Sequence, residues 1–173
     1  MANLRKKFSK IYDQYIEKIY RFIFLKVNSE EIAQDLTSET FLRGWEIFKE
    51  KNDEITNFQA FLYKIAKNLV TDYYREKGKA RVVSAELTPI IDPRQNLEEK
   101  AIWNSELETI RLALANLKED YQNVIIWYYL DDLPISQVAK LLGRTEEATR
   151  VLLHRALNTL RGSINSEQRT IKQ

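Results

Sequence analysis

The most specific chemistry in this 173-residue chain lies near its end, where arginines recur on an amphipathic segment. Arg150, Arg155 and Arg161 alternate with apolar residues at helical spacing, and Arg144 stands just before them. Guanidinium groups bind phosphates and guanine edges, which is the chemistry of a protein that holds DNA. His154 is the only histidine and falls among these arginines. A polar DNA contact and an ordinary surface position are its two alternatives.

The segment that leads into these arginines has the pattern of a helix-turn-helix, and residues 135–150 read ISQVAKLLGRTEEATR. Ala139 is small enough for a second helix to cross closely, Gly143 permits a sharp turn, and Thr145 caps the next helix. That helix is predicted from Glu146 to about Arg161, with its outer face free to enter a major groove. Its predicted core stripe is Thr149, Leu153, Ala156 and Leu160. An ordinary helical hairpin is the alternative for this segment taken alone.

Helical periodicity also organises the first half of the chain. Apolar residues at spacings of three and four predict helices over about 4–26, 30–52 and 58–76. Ser29 and Asn57 are the residue types that cap such helices. No strand signal of comparable strength appears, so the predicted fold class is all-α.

The helical pattern fails between Gly78 and about Asn96, a stretch that includes Pro89 and Pro93. A gap of roughly twenty residues is unusual inside a compact domain and marks a domain boundary. We therefore predict two small helical domains joined by a flexible linker. The predicted ranges are 1–78 for the first domain, 79–97 for the linker and 98–173 for the second domain.

The net charge of +2 is unevenly distributed along the chain. Residues 1–79 carry +3, residues 80–133 carry −5 and residues 134–173 carry +4. Two basic ends around an acidic middle suggest two contacts with a polyanion, with solvated helix faces as the alternative.

Composition excludes several classes of function. The chain has no cysteine, one histidine and four glycines, which argues against thiol catalysis, a histidine-rich metal cluster and a glycine-rich phosphate loop. No apolar run approaches the ~18 residues of a membrane span. The basic start is not followed by the apolar segment of a signal peptide, so no signal peptide is predicted. We expect a cytoplasmic, non-enzymatic protein without a metal, a cofactor or membrane insertion.

Three separated motifs together resemble the extracytoplasmic-function (ECF) sigma factors of the sigma-70 family, the promoter-recognition subunits of bacterial RNA polymerase. Residues 33–45 read AQDLTSETFLRGW and resemble region 2.2 of that family. Residues 58–75 read FQAFLYKIAKNLVTDYYR and resemble regions 2.3 and 2.4. Residues 117–161, with LHRA at 153–156, resemble region 4. The resemblance covers almost the whole chain and makes the first domain a region 2 bundle and the second a region 4 helix-turn-helix.

The resemblance implies that the region 2.2 helix docks on the clamp helices of the polymerase's largest subunit. Carboxylates beside an apolar ridge suit an arginine-rich helical partner. For Leu36 and Phe41 a core position is the alternative, and Ile32 and Gln34 stand where many members have acids. The implied polymerase-binding residues are Asp35, Leu36, Glu39, Thr40 and Phe41.

Regions 2.3 and 2.4 imply capture of the melted −10 element. Single-stranded DNA is held by aromatic rings among basic groups, and a flipped base needs a pocket. Asn68 matches the asparagine that the family places near its −10 base pocket. The implied −10 residues are Phe58, Lys64, Lys67, Asn68, Tyr73 and Arg75.

Region 4 implies that the last helix lies in the major groove of the −35 element. Val151 and Leu152 stand where serine and arginine are common in the family. Val151 can touch a thymine methyl group, and an exposed Val151–Leu152 pair is alternatively a docking surface for an inhibitor. The implied −35 residues are Arg144, Thr145, Arg150, Val151, His154 and Arg155.

The partners implied are core RNA polymerase and promoter DNA, with an anti-sigma factor as a further candidate. No catalytic residue is implied, because the polymerase performs the nucleotidyl transfer. The alternative function is a stand-alone helix-turn-helix transcription regulator. That alternative predicts DNA binding without polymerase and leaves the segment around Asn68 unexplained.

Overall fold

The structure is a computed structural model that describes residues 1–77 and 108–171, with side chains to residue 166. The chain divides into two compact units, Met1–Val82 and Val83–Gln173. All regular structure in the described ranges is helical, which confirms the all-α prediction. The predicted linker, 79–97, and Gly78, where the helical pattern fails, lie outside the described residues.

The first unit is a bundle of three long helices, α1 (Ala2–Val27), α2 (Glu30–Lys51) and α3 (Phe58–Glu76), each packed on the other two. The two predicted caps are confirmed. The Ser29 hydroxyl oxygen accepts from the Ile32 amide at 3.3 Å, and the Asn57 side-chain oxygen accepts from the Ala60 amide at 3.0 Å.

Aromatic rings fill the core of this bundle. Phe22, Phe48 and Tyr63 have no exposed surface, and the Phe22 and Tyr63 rings meet edge to face with centroids 5.3 Å apart. Gly44 lies where α2 approaches α3, since a Cβ there would stand 3.3 Å from the Leu62 Cδ2 atom. The two helices that carry the region 2 motifs are therefore held by packing along their length.

The ends of α1 and α3 are joined by a side-chain hydrogen bond. The Tyr74 hydroxyl donates to the Lys26 carbonyl. Lys26 itself is 1% exposed, and its ammonium lies 4.7 Å from the Phe22 ring centroid. Asn28 then ends α1 in the left-handed conformation at φ +52°, a conformation that asparagine tolerates better than most residues.

The second unit begins, within the described residues, with helical residues 108–115 (α4) and continues with α5 (Glu119–Ile125). The Gln122 side-chain amide donates to the Leu114 carbonyl at 2.9 Å and so satisfies the end of α4. A π-helical turn, Ile126–Leu130, follows α5 directly.

The π-helical turn is held by hydrogen bonds that reach further along the chain than those of an α-helix. The Asp131 amide donates to the Ile126 carbonyl at 3.0 Å, and the Leu133 amide donates to the Trp127 carbonyl at 2.9 Å. These two hydrogen bonds span five and six residues instead of four, so the last turn of the helix is wider than an α-helical turn. Trp127 is fully buried there, whereas Tyr129 is 50% exposed.

The helix-turn-helix is confirmed in α6 (Ile135–Leu142) and α7 (Glu146–Ile171). Pro134 precedes α6 as its N-cap, and Gly143 ends it in the left-handed conformation at φ +66°. The Arg144 amide then donates back to the Ala139 carbonyl at 3.0 Å. The Thr145 hydroxyl oxygen accepts from the Ala148 amide at 3.1 Å and caps α7 as predicted.

The predicted end of α7 at about Arg161 is wrong, because the helix continues to Ile171. Gly162 stays in the helix, since a lone glycine costs only about 1 kcal/mol there. Ser163 and Ser166 bond back within the helix, donating to the carbonyls of Thr159 and Gly162 at 3.1 and 2.9 Å. Among the described residues, no helix combines the length and the apolar character that crossing a membrane requires.

Candidate functional site

The buried side of α7 matches the predicted stripe and extends it. Thr149 and Ala156 have no exposed surface, Leu153 is 9% exposed, and Leu160 is partly buried. The Thr149 hydroxyl donates to the Thr145 carbonyl at 2.8 Å. This polar side chain is therefore hydrogen-bonded although it is buried in the core. Leu152 also belongs to the buried side, at 8% exposed.

An exposed Val151–Leu152 docking pair is therefore wrong. Val151 is 45% exposed and Leu152 is 8% exposed. Consecutive helix residues lie about 100° apart, which carries Leu152 into the core when Val151 faces solvent.

The remaining outer face of α7 carries the predicted −35 residues. Arg150, Val151, His154 and Arg155 are all exposed. A His154 ring nitrogen lies 3.3 Å from the Asn158 side-chain nitrogen, one turn further along the helix. The structure thus brings four of the six predicted side chains onto one helix face.

The other two predicted −35 residues, Arg144 and Thr145, lie in the turn and have partners within the second unit. The Arg144 guanidinium forms an ion pair with the Asp120 carboxylate of α5 at 2.6 Å. This pair lines a cleft of about 430 Å³ together with Tyr121 and Leu152. Thr145 is exposed and its hydroxyl oxygen is engaged in the cap. The sequence did not predict Asp120 as a partner of Arg144, because the two residues are 24 positions apart in the chain.

In the first unit, one side of α3 is basic. Lys64, Asn68 and Arg75 are exposed and Lys67 is partly buried. Their spacings place all four on one helix face. Arg75 has a distant ion pair with Asp72, at 3.8 Å. This basic face combines three cations with one amide that can read a base edge.

The two predicted aromatic −10 residues lie apart from that face. Tyr73 falls on the same side of α3 as the fully buried Ala66, and its ring meets that of Tyr74 at a centroid distance of 5.3 Å. Burial raises the pKa of Tyr73 above its ordinary value of 10.0. Phe58 packs on Phe48, with centroids 5.8 Å apart, and the Lys7 ammonium lies 5.8 Å from the Phe58 ring centroid.

The residues implied for polymerase binding divide between surface and core. Asp35 is exposed, Leu36 is partly buried, and Glu39 forms an ion pair with Arg43 at 2.7 Å. Thr40 and Phe41 are 0% and 5% exposed.

The two buried members, Thr40 and Phe41, have partners inside the bundle. The Thr40 hydroxyl donates to the Leu36 carbonyl at 2.7 Å, and the Phe41 ring centroid lies 4.8 Å from that of Tyr12. Both side chains therefore act in this fold by holding α2 in place.

The apolar residue that does stand among the carboxylates of α2 is Leu42, which is 58% exposed. It lies seven residues, or two turns, after Asp35 and so on the same helix face. Sequence reasoning missed Leu42, although its position relative to Asp35 was the signal that could have found it. Within the described ranges no group of acids and histidines is arranged to hold a metal ion.

Family models match both units. Residues 11–80 match the model "Sigma-70 region 2", and residues 107–160 match the model "Sigma-70, region 4". The match places the basic face of α3 and the carboxylates of α2 within region 2, and the helix-turn-helix within region 4.

Curated relatives are similar to this chain over most of its length. The chain is 29% identical over 154 residues to the ECF RNA polymerase sigma factor BldN of Streptomyces coelicolor, covering 88% of this chain and 58% of that relative. It is 28% identical over 163 residues to the ECF RNA polymerase sigma factor SigW of Bacillus subtilis, covering 89% of this chain and 87% of the relative.

Solved structures share the fold. The sigma factor RpoE of Bartonella quintana, solved in complex with the anti-sigma factor NepR, is similar with a TM-score of 0.71 and 19% identity, covering 92% of this chain and 98% of that one. CnrH, solved in complex with the cytosolic domain of CnrY, is similar with a TM-score of 0.69 and 15% identity, covering 94% and 90%.

Proposed function

The chain belongs to the sigma-70 family and, within it, to the ECF sigma factors; from this premise we propose that it binds core RNA polymerase and directs transcription initiation at specific promoters. The observation that carries the proposal is the presence of both region 2 and region 4 in one chain, over residues 11–80 and 107–160. A chain with both regions can hold the −10 and −35 elements of one promoter at once.

Polymerase binding is assigned to the exposed face of α2. Asp35 and Glu39 supply carboxylates, and Leu42 supplies an exposed apolar side chain between them and Glu46. A central apolar contact ringed by charges is the usual anatomy of a specific protein interface. Thr40 and Phe41 contribute from beneath by fixing the helix.

Recognition of the −10 element is assigned to the basic face of α3. Lys64, Lys67 and Arg75 hold the backbone of a single strand, and the exposed amide of Asn68 reads a base edge. Recognition of the −35 element is assigned to α7, which the turn at Gly143 presents to a major groove. The protein supplies binding energy for promoter opening, and the polymerase catalyses nucleotidyl transfer.

An anti-sigma factor is the regulatory partner we propose, by extension from the Bartonella RpoE structure, which contains the anti-sigma factor NepR. Since it acts with RNA polymerase, the chain is assigned to the cytoplasm. A stand-alone helix-turn-helix regulator is the competing function, and it requires no polymerase.

The direct test is run-off transcription with purified core RNA polymerase and a genomic DNA library. The wild-type chain is expected to bind the core enzyme and to yield transcripts from discrete start sites. Tight binding of the free chain to duplex DNA without polymerase binding would instead establish the stand-alone regulator.

Two single substitutions in the first unit separate polymerase binding from promoter opening. Leu42→Ala is expected to weaken core polymerase binding about tenfold, as truncation of an interface apolar anchor does. Asn68→Ala is expected to leave polymerase binding intact and to reduce promoter opening about tenfold, because one base-edge contact is lost. Binding is measured by fluorescence anisotropy and opening by permanganate reactivity of melted thymines. Equal loss of both activities in Asn68→Ala, or unchanged polymerase binding in Leu42→Ala, counts against the assigned role.

A further inference from the structure

The outer face of α7 has a centre and two flanks that differ in chemistry. Glu147, Val151, His154 and Asn158 follow one another at spacings of four, three and four residues, and all are exposed. Such spacing runs straight along a helix. The line lies opposite the buried side, which includes the fully buried Thr149 and Ala156. The centre of the face therefore holds one acid, one apolar group, one imidazole and one amide.

The arginines lie on the flanks of this line. Arg150 is on one side, where its guanidinium lies 3.4 Å from the Glu146 carboxylate, and Arg155 is on the other. When a helix lies in a major groove, its centre faces the base edges and its flanks face the two phosphate backbones. In this geometry the arginines contact phosphates, and the bases are contacted by the central line, which consists of Glu147, Val151, His154 and Asn158.

Glu147 stands out within that line. It lies in the first turn of α7, the end of a recognition helix that contacts bases. Unlike Glu146, its carboxylate has no hydrogen bond or ion pair with any other residue in the described ranges. A carboxylate on a face that approaches phosphates weakens sequence-independent DNA binding. In the major groove it can accept a hydrogen bond from the N4 amino group of cytosine.

Resting on the function proposed above, we propose that Glu147 determines sequence specificity by accepting a hydrogen bond from a cytosine amino group in the upstream promoter element. Arg150 and Arg155 bind phosphates on either side and carry little base preference. The Glu147 carboxylate repels phosphates and so lowers the affinity for DNA of most sequences. Where a cytosine is present, the hydrogen bond to its amino group compensates for this loss. A repulsive group contributes to specificity in this way.

The competing explanation is that Glu147 only stabilises the positive end of the helix dipole. Glu146 provides the matched control, because it has the same charge and lies in the same first turn. Loss of either carboxylate removes the same dipole interaction, but only Glu147 belongs to the central line.

The test uses holoenzyme assembled from the full chain and core RNA polymerase, with a promoter library randomised in the upstream element. Wild type, Glu147→Gln, Glu147→Ala and Glu146→Gln are compared by sequencing the promoters that each retains, and thermal unfolding shows that all four are folded. The wild type is expected to specify cytosine at one position. Glu147→Ala is expected to lose that preference about tenfold, and Glu147→Gln to shift it to adenine, which glutamine reads. Glu146→Gln is expected to keep it.

Unchanged cytosine preference in both Glu147 variants overturns the inference, and so does an equal loss in Glu146→Gln. A wild-type holoenzyme that assembles but selects no cytosine overturns it as well, while leaving polymerase binding standing. Failure to assemble any holoenzyme overturns the proposed function itself, and the inference with it.

Discussion

The two units hold their candidate binding faces by different means. In the first unit, α2 and α3 are fixed along their length by buried rings such as Phe48 and Tyr63. In the second unit, α7 is aimed by a short turn in which Gly143 has φ +66° and Thr145 supplies the cap. The position of a face that packs on a core depends on the volume of the buried side chains. The position of a face that follows a turn depends instead on the backbone conformation of single residues in that turn.

Removal of core volume in the first unit should have the largest effect. Phe48→Ala is expected to destabilise α1–α3 by about 3–5 kcal/mol, since Phe48 is fully buried and contacts the Phe8, Trp45 and Phe58 rings. Amide hydrogen exchange of these helices measures the change. Leu42→Ala on the same helix is the control, with a change within about 0.5 kcal/mol because Leu42 is exposed. Similar losses in both variants would remove the distinction between core and surface in α2.

A change of backbone preference in the second unit should have an intermediate effect. Gly143→Ala is expected to destabilise the unit by about 1–2 kcal/mol, because a side chain at φ +66° is strained although no atom lies within 4 Å. Gly162→Ala is the matched control, since this glycine lies inside α7 in open space and alanine should stabilise it by about 0.5–1 kcal/mol. Denaturant unfolding followed by circular dichroism gives both values. Effects of the same sign would show that the turn does not depend on the left-handed conformation.

The ion pair between Asp120 and Arg144 should have the smallest effect on stability. Asp120→Asn is expected to cost less than about 1 kcal/mol, because both side chains are 43% exposed. The released Arg144 can then reach a phosphate. One additional phosphate contact makes the slope of the logarithm of the binding constant against the logarithm of salt concentration steeper by about 0.9. Arg144→Ala, which has no guanidinium to release, is the control. An unchanged slope in Asp120→Asn would mean that this pair does not restrain Arg144.

The features that sequence predicted correctly depend on residues close together in the chain. The caps at Ser29, Asn57 and Thr145 each involve an amide three residues away. Gly143 likewise ends its helix through bonds to Ala139 and Lys140. Such chemistry is complete within one turn of helix, so the residue types alone specify it.

The features that sequence missed depend on distant partners or on small differences in energy. Phe41 and Leu42 are adjacent and both apolar, but only Phe41 meets Tyr12 of α1 and is buried. The end of α7 was misplaced because the polar residues after Arg161 continue the helix, and one exposed glycine, Gly162, weakens it without stopping it. Tyr73, one of the predicted −10 residues, lies on a different side of α3 from Lys64 and Asn68.

The charged faces of the first unit have a consequence for how the protein meets its partners. Carboxylates lie on α2 and cations lie on α3, and both helices belong to one packed bundle. Such a body has a permanent electric dipole. In the field of a nucleic acid it experiences a torque that turns the net-negative α2 away from the phosphates and the net-positive α1 and α3 toward them before any contact forms. This orientation raises the fraction of productive collisions, and it fades as added salt shortens the Debye length from about 10 Å at 0.1 M to about 3 Å at 1 M.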